Sequence, residues 1–520
     1  MKGYVSIEIH EELRAKYAAT EFRLQQLERM IFGAKSERFY GDAPPVEQLN
    51  LFKENTTQEP PGAPTQTVEQ HERKVSKPQK KAARLPLPEH LPREENIIQP
   101  QGVTDEMVKI GEERSEQLVY VPAQLHVKVT VRPKYVLPPT VGEYGTSPIL
   151  IAEMPEQFIP KCIAHNTLLA SILVDKYVDH LPLYRTIERI FRLSQLRLPK
   201  STVSGWVKQS ANRLTLLYEK LTQRVLDTSY IQVDETRMEV LPNSPPPSDE
   251  RKIKRSRKRK NKPTKRKTER GWLWVYYAPE TNLTFCDYDP SRGANNPARY
   301  LKNYTGTVQS DGYDVYEILA KAFTQVEHYQ CLVHARRKFD AALGNDQKRA
   351  EHVLNIIQQI YEIEARVKKE NPEVEKEKLQ QILKQQRQQK SRPLLEKLFE
   401  WLEEQSLQVL PSEPIGKAIG YMLKRKKGLL HFLTDGKLRP DTNLVENAIR
   451  PVAVGRKNYL FAGSHDAAQW SAIFYSFFAC CKANNVDPYE WLLDVMNRLP
   501  NHSIQNLEDL LPDKWVKMGV

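Results

Sequence analysis

Cysteine is scarce in this sequence, and long apolar runs are absent. The chain of 520 residues contains five cysteines, an odd number without the spacing of a disulfide framework, so structural disulfides are not expected. No apolar stretch reaches membrane-spanning length, and the N-terminal sequence is too acidic and too polar for a secretory signal. We therefore expect a cytoplasmic protein without a membrane partner. Its length leaves room for about three or four domains.

Excess positive charge is also missing from most of the chain. The net charge is +13, but residues 251–270 hold thirteen basic residues and one acidic residue and so contribute +12. We predict a basic loop over residues 249–270 that holds phosphates without reading bases. A solvated insertion that keeps the protein soluble explains this loop equally well.

The N-terminal part is predicted to be a helix followed by a linker. Apolar residues spaced by four and three between Leu13 and Ile31 indicate a helix within residues 1–40. This helix is either a short coiled coil or an ordinary amphipathic helix. Residues 41–92 contain nine prolines and many polar residues, which is typical of a flexible linker.

A small β-rich module and a helical region come next. Residues 93–152 form the module, in which residues 125–131 alternate apolar with polar side chains like a half-buried strand. Residues 153–225 have helical periodicity, with one helix running from Thr167 to Phe191 and a second beginning with KSTVSGWV at Lys200.

This pair of helices is similar to a helix-turn-helix, whose second helix contacts bases through its N-terminal residues. Ser201 is equally well explained as an N-cap. The candidate DNA-binding residues are Lys200, Ser201, Thr202 and Ser204.

An acidic residue stands inside a predicted strand. The stretch Tyr230 to Val240, YIQVDETRMEV, is rich in β-branched and aromatic residues but carries Asp234 in its middle. A carboxylate in a buried sheet is costly unless something pairs with it. Alternation of side chains places Asp234 and Glu235 on opposite faces, so we do not expect them to serve one site.

The fold class predicted from here onward is α/β, a mixed sheet with helices packed against it. Residues 226–340 would supply the first part of the core, with three hairpin-connected strands and then alternating helices and strands. Residues 341–435 would form a helical insertion, and residues 436–485 the final part of the core. The helix after Asp441 should stop at Pro451, where a loop begins. An apolar helix over about Ala467 to Ala483 follows, and residues 486–520 form a C-terminal helix and tail with Asp487 as its N-cap.

Three acids could meet when the chain folds: Asp234, Asp311 at the end of the fourth strand, and Glu446. Carboxylates from separate elements are ligands that Mg²⁺ accepts while keeping water and phosphate. Two such ions would assist an in-line displacement at phosphorus, and Mn²⁺ could substitute. Local alternatives exist for two of the acids, because Asp311 could begin the next helix and Glu446 could cap Asn443.

Several strings of the sequence carry a family resemblance: VDETRMEV, VQSDGYDVY, CLVHARRKF, DTNLVENAIRPVAVGRKNYLFAGS and LEDLLPDKW. Together they resemble the bacterial insertion-sequence transposases of the sixty-six family, in the same order from about Arg84 to Trp515. The resemblance implies an RNase H-like D-D-E catalytic core whose acids fall on Asp234, Asp311 and Glu446.

The resemblance extends to a Cys-x-x-His signature on Cys331 and His334, for which we expect a packing or substrate-orienting role rather than half a zinc site. Near Glu446, basic residues are expected to hold phosphates, with a solvated loop as the alternative. These residues are Arg450, Arg456 and Lys457. Family members usually carry paired cysteines in the β-rich module, but here no cysteine precedes Cys162, so no zinc is expected.

The implied activity is that of a transposase. It would bind the ends of a mobile element, cleave phosphodiester bonds and join the 3′ ends to target double-stranded DNA. On DNA it would be a homo-oligomer, with companion proteins of the same element as further partners. Two alternatives stay open: a DNA-binding protein derived from a transposase that has lost catalysis, and an RNase H-like nuclease without strand transfer.

Overall fold

The computed structural model describes residues 124–135, 150–153, 156–242 and 268–517. The predicted N-terminal helix, the linker, most of the β-rich module and nearly all of the basic loop lie outside these residues. The elements below all belong to one compact unit, Leu125–Val520. None of the described helices is both long and apolar enough to cross a bilayer.

The described part of the β-rich module contains strands β1 (Lys134–Tyr135) and β2 (Leu150–Ile151), which pair antiparallel. The strand predicted over residues 125–131 is wrong. These residues have no regular secondary structure, and the side chains of Val127, Val129 and Val131 are largely exposed. Alternation stabilises a strand only where a partner strand and a core receive its apolar side, and no described strand pairs with this stretch.

Four helices precede the main sheet: α1 (Asn166–Tyr177), α2 (Leu183–Ser194), α3 (Lys200–Arg213) and α4 (Thr215–Leu226). The single helix predicted from Thr167 to Phe191 is therefore two helices. The chain turns between them at His180, which has a positive φ, and at Pro182, the N-cap of α2. The expected second helix does begin at Lys200, but its N-cap is Pro199 rather than Ser201.

A five-stranded mixed sheet forms the centre. Strands β3 (Tyr230–Val240), β4 (Glu269–Ala278) and β5 (Leu283–Asp289) are antiparallel neighbours. Helix α5 (Asn295–Leu301) leads to β6 (Gly306–Ser310), which pairs parallel with β3. Helix α6 (Asp314–Ala322) leads to β7 (Val326–Gln330), parallel to β6. The strand order is β5-β4-β3-β6-β7, which confirms the predicted mixed sheet with helices.

Helices fill the stretch between β7 and the last part of the core, as the polar composition predicts. After α7 (Leu332–Ala342), a second apolar core forms around Phe339 and the insertion. The described residues of the insertion contain no strand. Its elements are α8 (Gln347–Glu370), α9 (Lys376–Gln386), a π-helical turn (Arg387–Ser391), α10 (Arg392–Ser406), α11 (Pro414–Lys424), α12 (Lys426–Leu430) and a 3₁₀ turn (His431–Thr434).

The predicted stop at Pro451 is wrong, because α13 runs from Asn443 to Tyr459 with Pro451 inside it. Proline in a helix costs about 3 kcal/mol through a lost hydrogen bond and a clash. Here buried residues on both sides of the proline, Val445 and Val452 among them, continue one apolar face. That face packs against β3 and β4, and we attribute the persistence of the helix to this packing.

The last two helices agree with the sequence. Helix α14 (His465–Ala483) is apolar and largely buried, and begins at the N-cap Ser464. Helix α15 (Pro488–Arg498) begins after Asp487, whose side chain accepts a hydrogen bond from the Glu490 backbone N–H at 2.8 Å. The predicted N-cap is therefore confirmed.

Candidate active site

Strand register brings two of the predicted acids to the same end of the sheet. Gln232 of β3 lies opposite Gln309 of β6 in a parallel pair. Asp234 is two residues beyond Gln232 and shares its face of the strand. Asp311 is two residues beyond Gln309 and immediately follows the end of β6. The register therefore carries Asp234 and Asp311 to neighbouring positions.

The third acid, Glu446, lies on a helix that packs against β3. Glu446 lies in the first turn of α13, where its backbone N–H donates to the Thr442 carbonyl at 3.1 Å. The preceding residue, Val445, donates its N–H to the side-chain Oε1 of Gln232 at 3.3 Å. This bond fixes the start of α13 beside the strand that carries Asp234. The positive end of the helix dipole at this turn also favours a carboxylate.

The charges of the neighbouring acids act on Asp234. Burial raises the pKa of the Asp234 carboxyl well above its ordinary value, and the negative charges of Glu235, Asp311 and Glu446 raise it further. One hydrogen bond opposes this shift, from the Glu235 N–H to Asp234 Oδ1 at 2.8 Å. Asp234 is thus a largely desolvated carboxyl group among like charges, the environment that a bound cation relieves.

Asp311 sits in a turn that is fixed by its surroundings. Its Oδ1 accepts a hydrogen bond from the Tyr313 N–H at 2.8 Å. The carbonyl of Gly312 accepts another from Arg425, the C-cap residue of α11, at 2.9 Å. The helix that follows, α6, begins only at Asp314, so Asp311 is not its N-cap.

Glu446 has a cationic partner. Arg337 of α7 contacts both of its carboxylate oxygens, with Nη2–Oε2 at 2.6 Å and Nη1–Oε1 at 3.2 Å. His334 Nε2 lies 3.8 Å from the same Oε1. Within the described residues, no three His, Cys, Asp or Glu side chains are arranged to hold a metal ion. The carboxylate oxygens suit Mg²⁺ chemically, but Glu446 would have to leave Arg337 to serve as a ligand.

Glu235 is buried on the other side of β3, as the alternation predicts, but it is not electrostatically separate from Asp234. Its Oε1 accepts from Arg292 at 2.7 and 2.9 Å, and its Oε2 accepts from the Tyr316 hydroxyl at 3.1 Å. Burial raises the pKa of Glu235, Arg292 lowers it, and the charge of Asp311 raises it. That the two neighbouring acids do not serve one site stays a prediction, although the charge of Glu235 also raises the pKa of Asp234.

The Cys-x-x-His signature contacts Glu446 and the residue before α13. Cys331 is the N-cap residue of α7, and its Sγ accepts a hydrogen bond from the Thr442 N–H at 3.3 Å. Burial raises the pKa of its thiol to about 12, so it is a neutral packing group. His334 is half-buried beside Glu446 and lies 3.3 Å from Arg337. These positions suit the packing and orienting roles predicted for the pair.

Arg456 and Lys457 lie on α13 rather than in the loop predicted after Pro451, and Arg450 lies on the same helix. Arg450 and Lys457 are exposed on this helix. Arg456 instead donates to the Thr236 hydroxyl at 2.8 Å and to the Arg237 carbonyl at 2.7 Å. It therefore connects α13 to β3, whereas the side chains of Arg450 and Lys457 are exposed to solvent.

The candidate DNA-reading residues stand together in the first turns of α3. Lys200, Ser201 and Ser204 are exposed, whereas Thr202 is half-buried. Helix α3 packs against α14, while the acids lie on β3, on α13 and after β6. The structure therefore does not group these residues with the acids.

Sequence reasoning missed several residues that contact the acids or their elements, notably Arg337, Arg292, Gln232 and Gln309. Arg337 lies in the string CLVHARRKF, three residues after the histidine of the Cys-x-x-His signature. A basic pair one turn after that histidine was a usable signal. Nothing local marks the two glutamines, because their importance arises from cross-strand register.

Comparison with known proteins identifies the family. Residues 161–470 match the Transposase IS66 family, and residues 476–512 match the IS66 C-terminal element. Residues 20–95 match the family described as Transposase C of IS166 homeodomain, and residues 100–136 match the zinc-finger binding domain of transposase IS66. The chain belongs to the transposase IS66 family.

Relatives of similar length come from Sinorhizobium fredii and are named only as uncharacterized proteins. The protein y4jD is 31% identical over 511 residues, covering 94% of this chain and 93% of the relative. The protein y4qI is 31% identical over 442 residues, covering 81% of this chain and 76% of the relative. The protein y4hP is 28% identical over 538 residues, covering 96% and 88% respectively.

The match to a zinc-finger binding domain disagrees with the residues that occupy it. Residues 100–136 contain no cysteine and a single histidine, His126. A structural zinc site takes four ligands, chiefly cysteine and histidine, and this segment does not supply them. The family match argues against the expectation that no zinc binds, whereas the lack of suitable ligands supports that expectation. The absence of bound zinc therefore remains a prediction.

Proposed function

We propose that this protein is a DNA transposase that binds mobile-element ends, cleaves phosphodiester bonds and joins the 3′ ends to target DNA. Asp234, Asp311 and Glu446 would be its catalytic acids. The observation that carries the proposal is that the charges of Asp311 and Glu446 both act on the half-buried carboxyl group of Asp234. The three acids come from separate elements, namely β3, the turn after β6 and the first turn of α13, in a chain of a transposase family.

The strand order β5-β4-β3-β6-β7 further supports an RNase H-like core. Three antiparallel strands come first, and two parallel strands are added at the β3 side. Asp234 lies on the central strand and Asp311 at the end of its parallel neighbour. In open sheets of this kind, sites form beyond the carboxyl ends of the strands where the strand order switches direction.

A divalent cation suits the acids, because hard oxygen ligands and a half-buried carboxyl group among like charges are what Mg²⁺ or Mn²⁺ would satisfy. Asp234, Asp311 and a released Glu446 would hold it, and it would supply Lewis acidity and stabilise charge at phosphorus. The remaining roles, packing and phosphate contact, would fall to residues of the protein itself. Cys331 packs under the start of α13, and Arg337, once released from Glu446, could contact a phosphate.

DNA would be held at a second place by the first turns of α3, through Lys200, Ser201, Thr202 and Ser204. Arg450 and Lys457 would contact phosphates near the acids. We also propose that the protein acts as a homo-oligomer on DNA, with companion proteins of the same element.

The test is a cleavage and joining assay with DNA that carries the element's terminal repeats. The wild-type protein with Mg²⁺ or Mn²⁺ should nick the DNA at the repeat ends and join them to a target plasmid. Asp234→Asn should abolish both steps while it still binds the ends. Glu327→Gln is the matched control, because Glu327 is an exposed acid on β7 of the same sheet, and it should remain active.

Two observations favour a second candidate, a DNA-binding protein without catalysis. Glu446 is engaged by Arg337, and the described residues contain no ready-made metal site. End binding without any metal-dependent nicking would support this candidate and refute the transposase. Products that are cleaved but never joined would instead favour a nuclease.

A further inference from the structure

A buried polar junction lies inside the sheet just before the acids. It consists of Tyr230 and Gln232 of β3, Gln309 of β6 and Tyr329 of β7, and all four side chains are buried. Burying an amide without partners costs roughly 2–7 kcal/mol, so apolar residues are the ordinary occupants of such positions. These four side chains satisfy one another and, in addition, reach the chain segment that leads to Glu446.

Gln232 is the centre of the junction. Its Nε2 donates to the Asp441 carbonyl at 2.7 Å and to Gln309 Oε1 at 2.8 Å, and it lies 2.9 Å from the Tyr230 hydroxyl. Its Oε1 accepts from the Val445 N–H at 3.3 Å. One side chain thus contacts the backbone on both sides of the point where α13 begins.

The remaining members extend the same contact. Gln309 donates through Nε2 to the Arg439 carbonyl at 3.0 Å, and the Tyr329 hydroxyl donates to that carbonyl at 3.1 Å. The Tyr230 hydroxyl donates to Gln309 Oε1 at 2.5 Å. Strands β3 and β6 are therefore bonded to each other and to residues 439–445 through directional bonds rather than through apolar contact alone.

Each catalytic candidate is close in sequence to this junction. Asp234 is two residues beyond Gln232, Asp311 is two residues beyond Gln309, and Glu446 follows Val445 directly. Apolar packing tolerates small slips of one element against another, whereas a fully bonded polar network selects one arrangement. Catalytic groups have to be held within about 0.5 Å of their productive geometry.

We infer that Gln232 and Gln309 are positioning residues that set the three acids relative to one another for metal binding and catalysis. They would touch neither metal nor DNA. This inference rests on the proposed function, since it assumes that the acids act together. A purely structural role for the same network would instead appear as lost stability alone.

The test uses Gln232→Met and Gln309→Met, which keep the length of the side chain and remove its hydrogen bonds. Gln330→Met is the matched control: Gln330 is buried in β7, and its Oε1 accepts no hydrogen bond from a described residue. Four quantities are measured on each full-length protein: Mn²⁺ affinity without DNA by electron paramagnetic resonance, affinity for element-end DNA, the cleavage rate at saturating DNA, and the melting temperature.

In both junction variants, Mn²⁺ affinity and cleavage rate should fall about tenfold to hundredfold, as for other residues that support metal ligands, with element-end affinity unchanged. The control should keep wild-type Mn²⁺ affinity and rate, even where its melting temperature drops as far as theirs. Wild-type Mn²⁺ affinity and rate in folded junction variants, or an equal loss in the control, would overturn the inference.

Tyr230→Phe keeps the test decisive if the methionine variants do not fold. It removes only the hydroxyl that donates to Gln309 and leaves the ring in place. A severalfold loss of Mn²⁺ affinity in this variant supports the positioning role, and an unchanged affinity refutes it. Failure of the proposed function is a separate outcome: a wild-type protein that binds Mn²⁺ through Asp234 but never cleaves DNA would refute the transposase, while the Mn²⁺ measurements still decide the inference.

Discussion

Arg337 donates hydrogen bonds to both carboxylate oxygens of Glu446, at 2.6 and 3.2 Å. The two residues are 109 positions apart and lie on α7 and α13. A bidentate arginine–carboxylate pair is among the stronger hydrogen-bonded contacts in proteins. Because Arg337 and a divalent cation would neutralise the same carboxylate, the two are expected to compete for Glu446.

Arg337→Gln should therefore strengthen metal binding by the DNA-free protein. The pair is partly exposed, so its removal is worth on the order of 1 kcal/mol, and we expect Mn²⁺ affinity to rise severalfold in a calorimetric titration. Lys338→Gln, at an exposed position on the same helix, should leave it unchanged. Weaker Mn²⁺ binding by Arg337→Gln would mean that Arg337 helps to build the metal site instead of competing for it.

Asp234→Asn should stabilise the metal-free protein near neutral pH. The pKa of Asp234 is raised in the folded state by burial and by Glu235, Asp311 and Glu446. A carboxyl group with a raised pKa contributes its full stability below its unfolded pKa and loses it as pH rises through the folded pKa. Asparagine does not ionise, so the variant does not lose stability in this way as the pH rises. Urea unfolding at several pH values without metal should show a gain that grows from acidic to neutral pH.

The control for that measurement is Glu327→Gln, whose effect should not grow with pH in this way. Adding Mg²⁺ should stabilise the wild-type protein more than Asp234→Asn, because only the charged side chain binds the cation well. A stability gain that is independent of pH would contradict the electrostatic explanation.

A buried ion pair holds the helical insertion together. Arg387 donates to both carboxylate oxygens of Glu364, at 2.6 and 2.8 Å, and also to the carbonyls of Phe432 and Asp435. Glu364→Gln should cost about 3–5 kcal/mol in the free energy of unfolding, since it leaves a buried arginine uncompensated. Glu396→Gln, which breaks an exposed pair with Arg392, should cost at most about 1 kcal/mol. Equal costs in urea titrations would contradict the prediction.

Gly312 lets the turn after Asp311 approach α11 closely. A Cβ atom at this position would lie 2.7 Å from the Tyr421 hydroxyl and 3.1 Å from Arg425 Nε. Gly312→Ala should displace Asp311 and lower the cleavage rate by about tenfold to hundredfold. Gly420→Ala, where a Cβ meets nothing within 4 Å, should be fully active. An active Gly312→Ala protein would show that the turn can accommodate the added methyl group without displacing Asp311.

Lys200→Ala should weaken binding to DNA ends and to unrelated DNA alike, because a phosphate contact carries no sequence information. The slope of log affinity against log salt should become less steep by about 1. Lys417→Ala, at an exposed position on α11, is the control and should keep the wild-type slope. Fluorescence anisotropy at several salt concentrations measures both, and an unchanged slope for Lys200→Ala would remove it from the DNA interface.

Elements with strong local signals were predictable. The strand Tyr230–Val240 and the cap at Asp487 follow from β-branched composition and from Asp-Pro capping chemistry. Elements whose structure depends on tertiary packing were not predictable from the sequence. Helix α13 continues through Pro451 because its apolar face lies on the sheet, and residues 125–131 form no strand, since a period of two specifies nothing without a partner.

By itself, the sequence determined which acids could act and which strands and helices carry them, because mid-strand carboxylates and hydrophobic periodicity are local properties. Only the tertiary structure decided that Arg337 holds Glu446 and that two glutamines join the elements bearing the acids. Those contacts depend on strand register and on residues more than 100 positions apart. No local pattern encodes them, because they exist only once the elements have packed.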